Sequence, residues 1–261
     1  MRGKIAIVTG GARDIGRQVS LKLATAGAKV CVNYFGNKEL ADETIQLIKA
    51  AGGEAIAVHG DMTKAADVKK VVDACMAAYG NTIHILVNVA GGLMGRKILA
   101  DLDEEFWDAV MNVNLKSNFL CAKYFIPYIL KSGKGVVINV ASVQSFVSQR
   151  NVAAYTTAKT AVLGLTRSIA IDYAPNIRCV AVCPGTVDTP MMRDAIKLSP
   201  NPDEVLQECI DMHPIGRIGT PEEVAEVIKF MCDDNAGFIT GQYIRVDGGL
   251  GITINGSKRD L

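Results

Sequence analysis

The chain carries no surplus of either charge. Its 28 Lys plus Arg stand against 27 Asp plus Glu, a formal net charge of +1 over 261 residues. With no basic block either, it lacks the electrostatic footprint of a dedicated nucleic-acid binder. No apolar run approaches the roughly 18 consecutive residues of a membrane-spanning helix, so no membrane association is expected. Met1–Lys4 leads straight into an apolar, β-branched stretch; no secretory leader is expected, and a cytoplasmic location is. The seven cysteines include no Cys-x-x-Cys pair, and the three histidines (His59, His84, His213) are scattered. Neither a disulfide framework nor a metal site is expected; reduced thiols filling apolar space are. The tail Ser257–Leu261 does not match an endoplasmic-reticulum retention tetrapeptide. Linkers, low-complexity tracts and short repeats are absent too. With 49% hydrophobic and 21% charged residues, the chain reads as one globular domain spanning 1–261.

What is present is an alternation. Short apolar, β-branched runs fall at 4–9, 28–34, 55–58, 83–88, 135–140, 177–182 and 243–246. Each is nearly continuously apolar, as strands covered on both faces must be. Helical patterns lie between them, at about 15–26, 38–51, 64–79, 103–130, 152–174 and 221–232. Gly27, Gly52-Gly53 and Pro175 mark stops, while Thr220-Pro221 supplies an N-cap and a first-turn proline. Such alternation predicts an α/β fold, a doubly wound parallel sheet of about seven strands with helices on both faces. The segment 184–220, with five prolines, reads as a long irregular stretch and a substrate lid. Ligands in such sheets sit beyond the carboxyl ends of the strands, where this segment begins.

The first strand runs into Thr9-Gly10-Gly11-Ala12-Arg13-Asp14-Ile15-Gly16 and then a helix. Glycines there let the backbone turn tightly and approach a pyrophosphate, which a helix N-terminus binds through free N–H groups. The spacing resembles the TGxxxGxG signature of the short-chain dehydrogenases/reductases, which implies a Rossmann-type fold binding a nicotinamide dinucleotide. Asp14 is a departure: it stands where that family usually has its middle glycine, and a carboxylate there repels a pyrophosphate unless Arg13 or Arg17 neutralises it. The second strand ends in Asn33-Tyr34-Phe35-Gly36-Asn37-Lys38, with no acid before Glu39. An NAD site places a carboxylate there for the ribose 2′-hydroxyl. Its absence, with Arg13 and Lys38 able to attract a 2′-phosphate, favours NADP(H) over NAD(H). Asp61-Met62, Asn88-Val89-Ala90-Gly91 and Pro184-Gly185-Thr186-Val187-Asp188-Thr189 resemble the family's further cofactor contacts, with Val89 replacing a second asparagine. By that resemblance the cofactor site comprises Gly10, Arg13, Asp14, Ile15, Gly16, Tyr34, Asp61, Met62, Asn88, Ala90, Gly91, Pro184, Gly185, Val187 and Thr189, together with Tyr155 and Lys159.

The last two stand at i and i+4 in Tyr155-Thr156-Thr157-Ala158-Lys159, on one helical face. A phenol that titrates near 10 needs about 4 kcal/mol of help to exchange protons near neutrality. One ammonium about 4 Å away supplies roughly that at an effective dielectric near 20. Ser142, 13 residues upstream after a strand, can donate to a reacting oxygen. Asn114 sits in mid-helix, where asparagine is a mediocre former. The order Asn114, Ser142, Tyr155, Lys159 resembles the family's catalytic tetrad. The resemblance implies that Tyr155 is the general acid/base and that Lys159 lowers its pKa and holds the nicotinamide ribose. It implies further that Ser142 polarises the substrate oxygen and that Asn114 holds a relay water.

Gly91-Gly92-Leu93-Met94-Gly95-Arg96-Lys97 resembles the loop of reductases acting on the keto-uronate released from alginate. Ala141-Ser142-Val143-Gln144 and Ala170–Pro175 resemble aldohexose dehydrogenases. Both imply a small polyhydroxylated substrate, with Gln144, Arg96 and Asn151 as candidate contacts. A 3-oxoacyl-(acyl-carrier-protein) reductase is the alternative, although Ser168–Ile177 carries no basic residue for an acidic partner. A non-catalytic dinucleotide sensor is a further one, and it sits poorly with retention of both Tyr155 and Lys159. The helices at 103–130 and 152–174 are apolar beyond one stripe (Phe119, Leu120, Tyr124, Phe125; Val162, Leu163, Leu165, Ile169). In this family they form a dimer interface and the end near Val246–Gly249 helps build a tetramer, which implies a homotetramer.

Overall fold

Side chains alternate across each strand, and this chain keeps both alternating sets apolar. Ala6 and Val8, Val30 and Val32, Ile85 and Val87, Val136 and Ile138 pack on one face of the sheet. Ile5 and Ile7, Cys31, Leu86 and Val137 pack on the other. The computed structural model describes residues 1–253, so the expectation about the tail Ser257–Leu261 lies outside the described residues. Its strands are β1 (Ile5–Thr9), β2 (Lys29–Tyr34), β3 (Glu54–His59), β4 (Ile85–Asn88), β5 (Gly135–Val140), β6 (Ile177–Pro184) and β7 (Tyr243–Val246). They form one parallel sheet in the order β3-β2-β1-β4-β5-β6-β7. This is the expected Rossmann-type α/β architecture.

The helices are α1 (Asp14–Thr25), α2 (Lys38–Ala50), α3 (Ala65–Tyr79), α4 (Glu104–Met111), α5 (Ser117–Lys131), α6 (Ala153–Asp172), α7 (Pro190–Lys197), α8 (Pro202–Asp211) and α9 (Pro221–Met231). Val19 and Leu23 of α1, Ile48 of α2 and Ile228 of α9 cover one face of the sheet. Val71 and Cys75 of α3, Phe125 and Ile129 of α5 and Ile169 of α6 cover the other. The chain order reverses between the neighbours β1 and β4, and a crevice opens at that switch point beyond the carboxyl ends.

Three expectations need correction. The helix expected over 103–130 is two helices joined by a π turn, Asn112–Lys116. Segment 184–220 is not irregular, since it holds α7 and α8. Pro190 and Pro202 stand in their first turns, where a missing N–H costs nothing, so residues read as breakers are starters. Of the eight apolar residues expected to face a partner, Leu120, Phe125, Val162, Leu163 and Ile169 are already buried within this chain; Phe119 is exposed. Among the described residues the cysteines are free, and no cluster of side chains suits a metal ion. No described helix is long and apolar enough to cross a membrane.

Candidate active site

The crevice has a volume of about 880 Å³. It takes in residues that follow four of the strands: Gly10, Arg13, Asp14, Ile15 and Gly16 after β1; Asp61 and Met62 after β3; Ala90 and Gly91 after β4; Gly185, Val187 and Thr189 after β6. Tyr34 and Pro184, Ser142 and Gln144, Tyr155 and Lys159, and Arg96 also line it. Three sequence-derived candidates do not. Asn88 lies behind the wall, with Nδ2 donating to Asn139 Oδ1 at 2.9 Å. Asn114 is fully buried behind Gly91 and Gly92. Asn151 lines a separate small pocket beside Tyr155, and its backbone carbonyl accepts from Lys97 N at 2.8 Å.

The cofactor end is shaped by close backbone approach. Gly16 lies so near Gly10 that an added Cβ would stand 2.0 Å from the Gly10 carbonyl oxygen. Ser20 Oγ clamps the turn, reaching Gly16 O at 2.9 Å and Gly11 O at 3.1 Å. Arg13 at the α1 N-cap makes no side-chain capping bond, which leaves first-turn N–H groups for an anion. Asp14 adopts φ +51°, a left-handed conformation that Asp tolerates better than most residues. Burial pushes its carboxyl above the ordinary range, and Arg13 and Arg17 pull against that. Only Arg13 is at hand, its Nε 3.7 Å from Asp14 Oδ2. Arg17 is occupied by Glu43 on α2 at 2.7 Å. Lys38 is likewise paired with Asp42 at 2.5 Å and does not line the crevice.

A nicotinamide dinucleotide fits this cradle. Glycine backbone makes the floor, with Gly10 against Ala90 and Gly91 against Asn114 and Lys159. Tyr34, Phe35, Gly36 and Asn37 close the adenosine end without a carboxylate.

At the other end, Ser142 caps a short helical turn through its hydroxyl, which accepts from Gln144 N at 3.1 Å. Lys159 is buried, and its Nζ donates to the Val140 carbonyl at 2.8 Å. That nitrogen lies 5.8 Å from the centre of the Tyr155 ring. Burial pushes the Tyr155 phenol above its ordinary value, while its hydrogen bond with Ser142 pulls it down. Lys159 is not among the groups that shift the phenol here. The amine points at Val140, and burial drives it toward neutrality, down to about 8. Asn114 is held on both sides of its amide: Oδ1 accepts from Gly92 N at 2.9 Å, and Nδ2 donates to Gly92 O and Val110 O, each at 3.1 Å. Its side chain fixes the Gly91–Gly92 turn. The π turn that carries it is a common device at functional sites.

A buried amine at about 8 has a signed consequence. Between about 8 and the ordinary 10.5 the unfolded chain binds more protons, so Lys159 makes stability rise with pH across that window. Lys159→Met is expected to remove the rise. Urea unfolding at the two ends of the window checks it, and unchanged pH dependence in the variant would contradict it.

The family model described as enoyl-(acyl carrier protein) reductase matches residues 10–251. The chain belongs to the short-chain dehydrogenase/reductase family. Similar proteins include an uncharacterized oxidoreductase of Thermotoga maritima, 39% identical over 249 residues, covering 95% of this chain and 97% of the relative. Another is the 3-oxoacyl-(acyl-carrier-protein) reductase FabG of Staphylococcus aureus, 36% identical over 95% of this chain and 98% of that one. Among solved structures, a ligand-free aldohexose dehydrogenase of Thermoplasma acidophilum superposes with a TM-score of 0.87 at 36% identity, covering 99% of this chain and 98% of that one. This short-chain dehydrogenase/reductase is thus an oxidoreductase acting on CH–OH or carbonyl groups with a nicotinamide dinucleotide.

Sequence reasoning missed one residue of the short-chain dehydrogenase/reductase's substrate end. Gln149 lines the crevice, and its Oε1 accepts from Gln144 Nε2 at 3.0 Å and from Arg96 Nη2 at 2.8 Å. Nothing in its local sequence marks it, because its partners lie 5 and 53 positions away. His213 is structural: its Nδ1 donates to Cys209 O at 2.7 Å and its Nε2 accepts from Thr186 N at 3.2 Å, tying α8 to the end of β6.

Proposed function

We infer that the enzyme interconverts an alcohol and a carbonyl on a small polyhydroxylated substrate of sugar or uronate type, with NADP(H) favoured over NAD(H). The carrying observation is the polar wall beside Ser142 and Tyr155. There Gln144 and Gln149 present amides that can exchange hydrogen bonds with hydroxyl groups, and Thr156 Oγ1 holds Gln144 Oε1 at 3.1 Å. The cofactor preference rests on Arg13 and on the absence of a carboxylate after β2.

A dinucleotide held in the crevice would supply or accept the hydride. Tyr155 carries the proton at its phenolic oxygen, to or from the substrate oxygen. Ser142 donates a hydrogen bond to that oxygen as charge develops on it. Lys159 would hold the ribose, and its positive charge favours the phenolate. Asn114 keeps the Gly91–Gly92 turn in register with both. Segment 184–220 closes over the substrate through α7 and α8, whose Met192, Ile196, Val205 and Cys209 line the crevice. A homotetramer is part of the same reading, supported by exposed Phe119, Ile171 and Phe238; a monomer by light scattering would contradict it.

The second reading, a 3-oxoacyl-(acyl-carrier-protein) reductase, is favoured by likeness to the protein of that name. A panel of aldohexoses, hexuronates and an acyl-thioester ketone, followed at the nicotinamide absorbance with each cofactor, separates the two. Turnover of sugars with a higher kcat/KM for the NADP form is expected. Thioester turnover alone, or a tenfold NAD(H) preference, would overturn the respective claims.

A further inference from the structure

Arg96 is a cation of the substrate end, distinct from Lys159 beside Tyr155. It lines the crevice, and among the described residues it forms no ion pair. Lys97 beside it is matched by Asp103 at 2.7 Å. Arg96 is nevertheless held in place: Nη2 donates to Gln149 Oε1 at 2.8 Å and Nη1 to the Arg150 carbonyl at 3.4 Å. Both partners are neutral, so they orient the guanidinium without cancelling its charge. That charge reaches the lid: burial pushes the Cys209 thiol of α8 up, and Arg96 pulls it back. Gln149 also anchors Gln144, whose backbone N–H bonds to Ser142 Oγ at 3.1 Å. One amide oxygen therefore links the free cation to the loop that carries Ser142. Met192, Ile196 and Val205 line the lid side of the crevice and offer an anion nothing.

We propose that Arg96, positioned by Gln149, is a specificity-determining anion subsite, so that the preferred substrate carries a carboxylate away from its reacting carbon. A guanidinium fork matches a carboxylate in two hydrogen bonds and tolerates loss of water better than an ammonium. This deepens the reading of the crevice given above and rests on it. Such a contact is made before and during reaction alike, so it acts on KM rather than kcat. Charge-assisted hydrogen bonds of this kind change affinity roughly ten- to hundredfold.

The test compares matched pairs: D-glucuronate with D-glucose, D-galacturonate with D-galactose, and a 5-oxo acid, whose carboxylate is remote from its ketone, with its amide. The anionic member is expected to show a kcat/KM at least roughly tenfold higher, through KM. Arg96→Gln should bring the ratio near one. Gln149→Glu should do the same, by setting a carboxylate against the guanidinium, and Arg96→Lys should keep part of the preference. Dinucleotide binding, read by cofactor fluorescence, should be unchanged in all three variants, which separates the effect from damage to the fold. Equal ratios in the unmodified enzyme, or a preference surviving Arg96→Gln, would overturn the proposal. Preference within the oxo-acid pair with both sugar pairs silent would refute the sugar reading and leave the subsite standing. If no pair turns over, D-glucuronate and the oxo acid are titrated calorimetrically into the dinucleotide complex. Binding lost in Arg96→Gln then supports the subsite, and absence of heat overturns it.

Discussion

Tyr155→Phe is expected to lower kcat by roughly a hundred- to ten-thousandfold while the protein still binds its dinucleotide. The variant removes one oxygen from a ring that lines the crevice beside Ser142 and Lys159 and leaves the ring itself in place. A lost general acid/base of that size corresponds to about 3–5 kcal/mol of barrier. Folding should be preserved, since only the hydroxyl and its bond with Ser142 are lost. Steady-state turnover, with dinucleotide titration as the control, measures it. Full turnover in the variant would remove Tyr155 from the chemistry.

Gly16→Ala is expected to do comparable damage at the other end by a steric route. The new methyl would lie 2.0 Å from Gly10 O, 2.8 Å from Gly10 C and 3.0 Å from Gly11 Cα. All three are backbone atoms, so no rotamer change relieves the clash, and α1 must retreat from the turn. Ser20 resists that retreat, because its hydroxyl holds both Gly11 and Gly16. The cost should reach or exceed the about 1–3 kcal/mol of ordinary overpacking. Dinucleotide affinity should fall at least roughly tenfold, since the displaced N–H groups are those expected to meet the pyrophosphate. Urea midpoints and fluorescence titration check both. A variant as stable and as tightly binding as the parent would contradict the close approach.

The sheet was legible because both faces of each central strand are buried, which leaves a continuous apolar run in the sequence. The crevice was legible because its residues follow strands directly: Gly10 after Thr9, Ala90 after Asn88 and Val89, Gly185 after Pro184. Elements that depend on distant contacts were not. A π turn leaves no composition signal, and Asn114 earns its place only by bonding to Gly92, 22 positions away. Lys38 and Arg17 read as free cations until α2 supplied Asp42 and Glu43. Asn151 shares a small side pocket with Tyr155 but does not line the crevice. Proline has two opposite uses, breaker and helix start, and α7 and α8 were lost to that ambiguity. The environment of Lys159 was the largest gap, because spacing puts its amine near the phenol but cannot tell that burial and the Val140 carbonyl claim it first.

The acidity of Tyr155 tests the centre of the account most directly. In the ligand-free protein the phenol should titrate above its ordinary 10, as burial requires. Adding oxidised dinucleotide should bring it down toward neutrality, as the nicotinamide cation favours the phenolate. Ultraviolet difference titration of tyrosinate, with Tyr155→Phe as the blank, isolates this one group. A downward shift confined to the complex is the predicted result. A phenol that titrates at the same pH with and without the dinucleotide would contradict it.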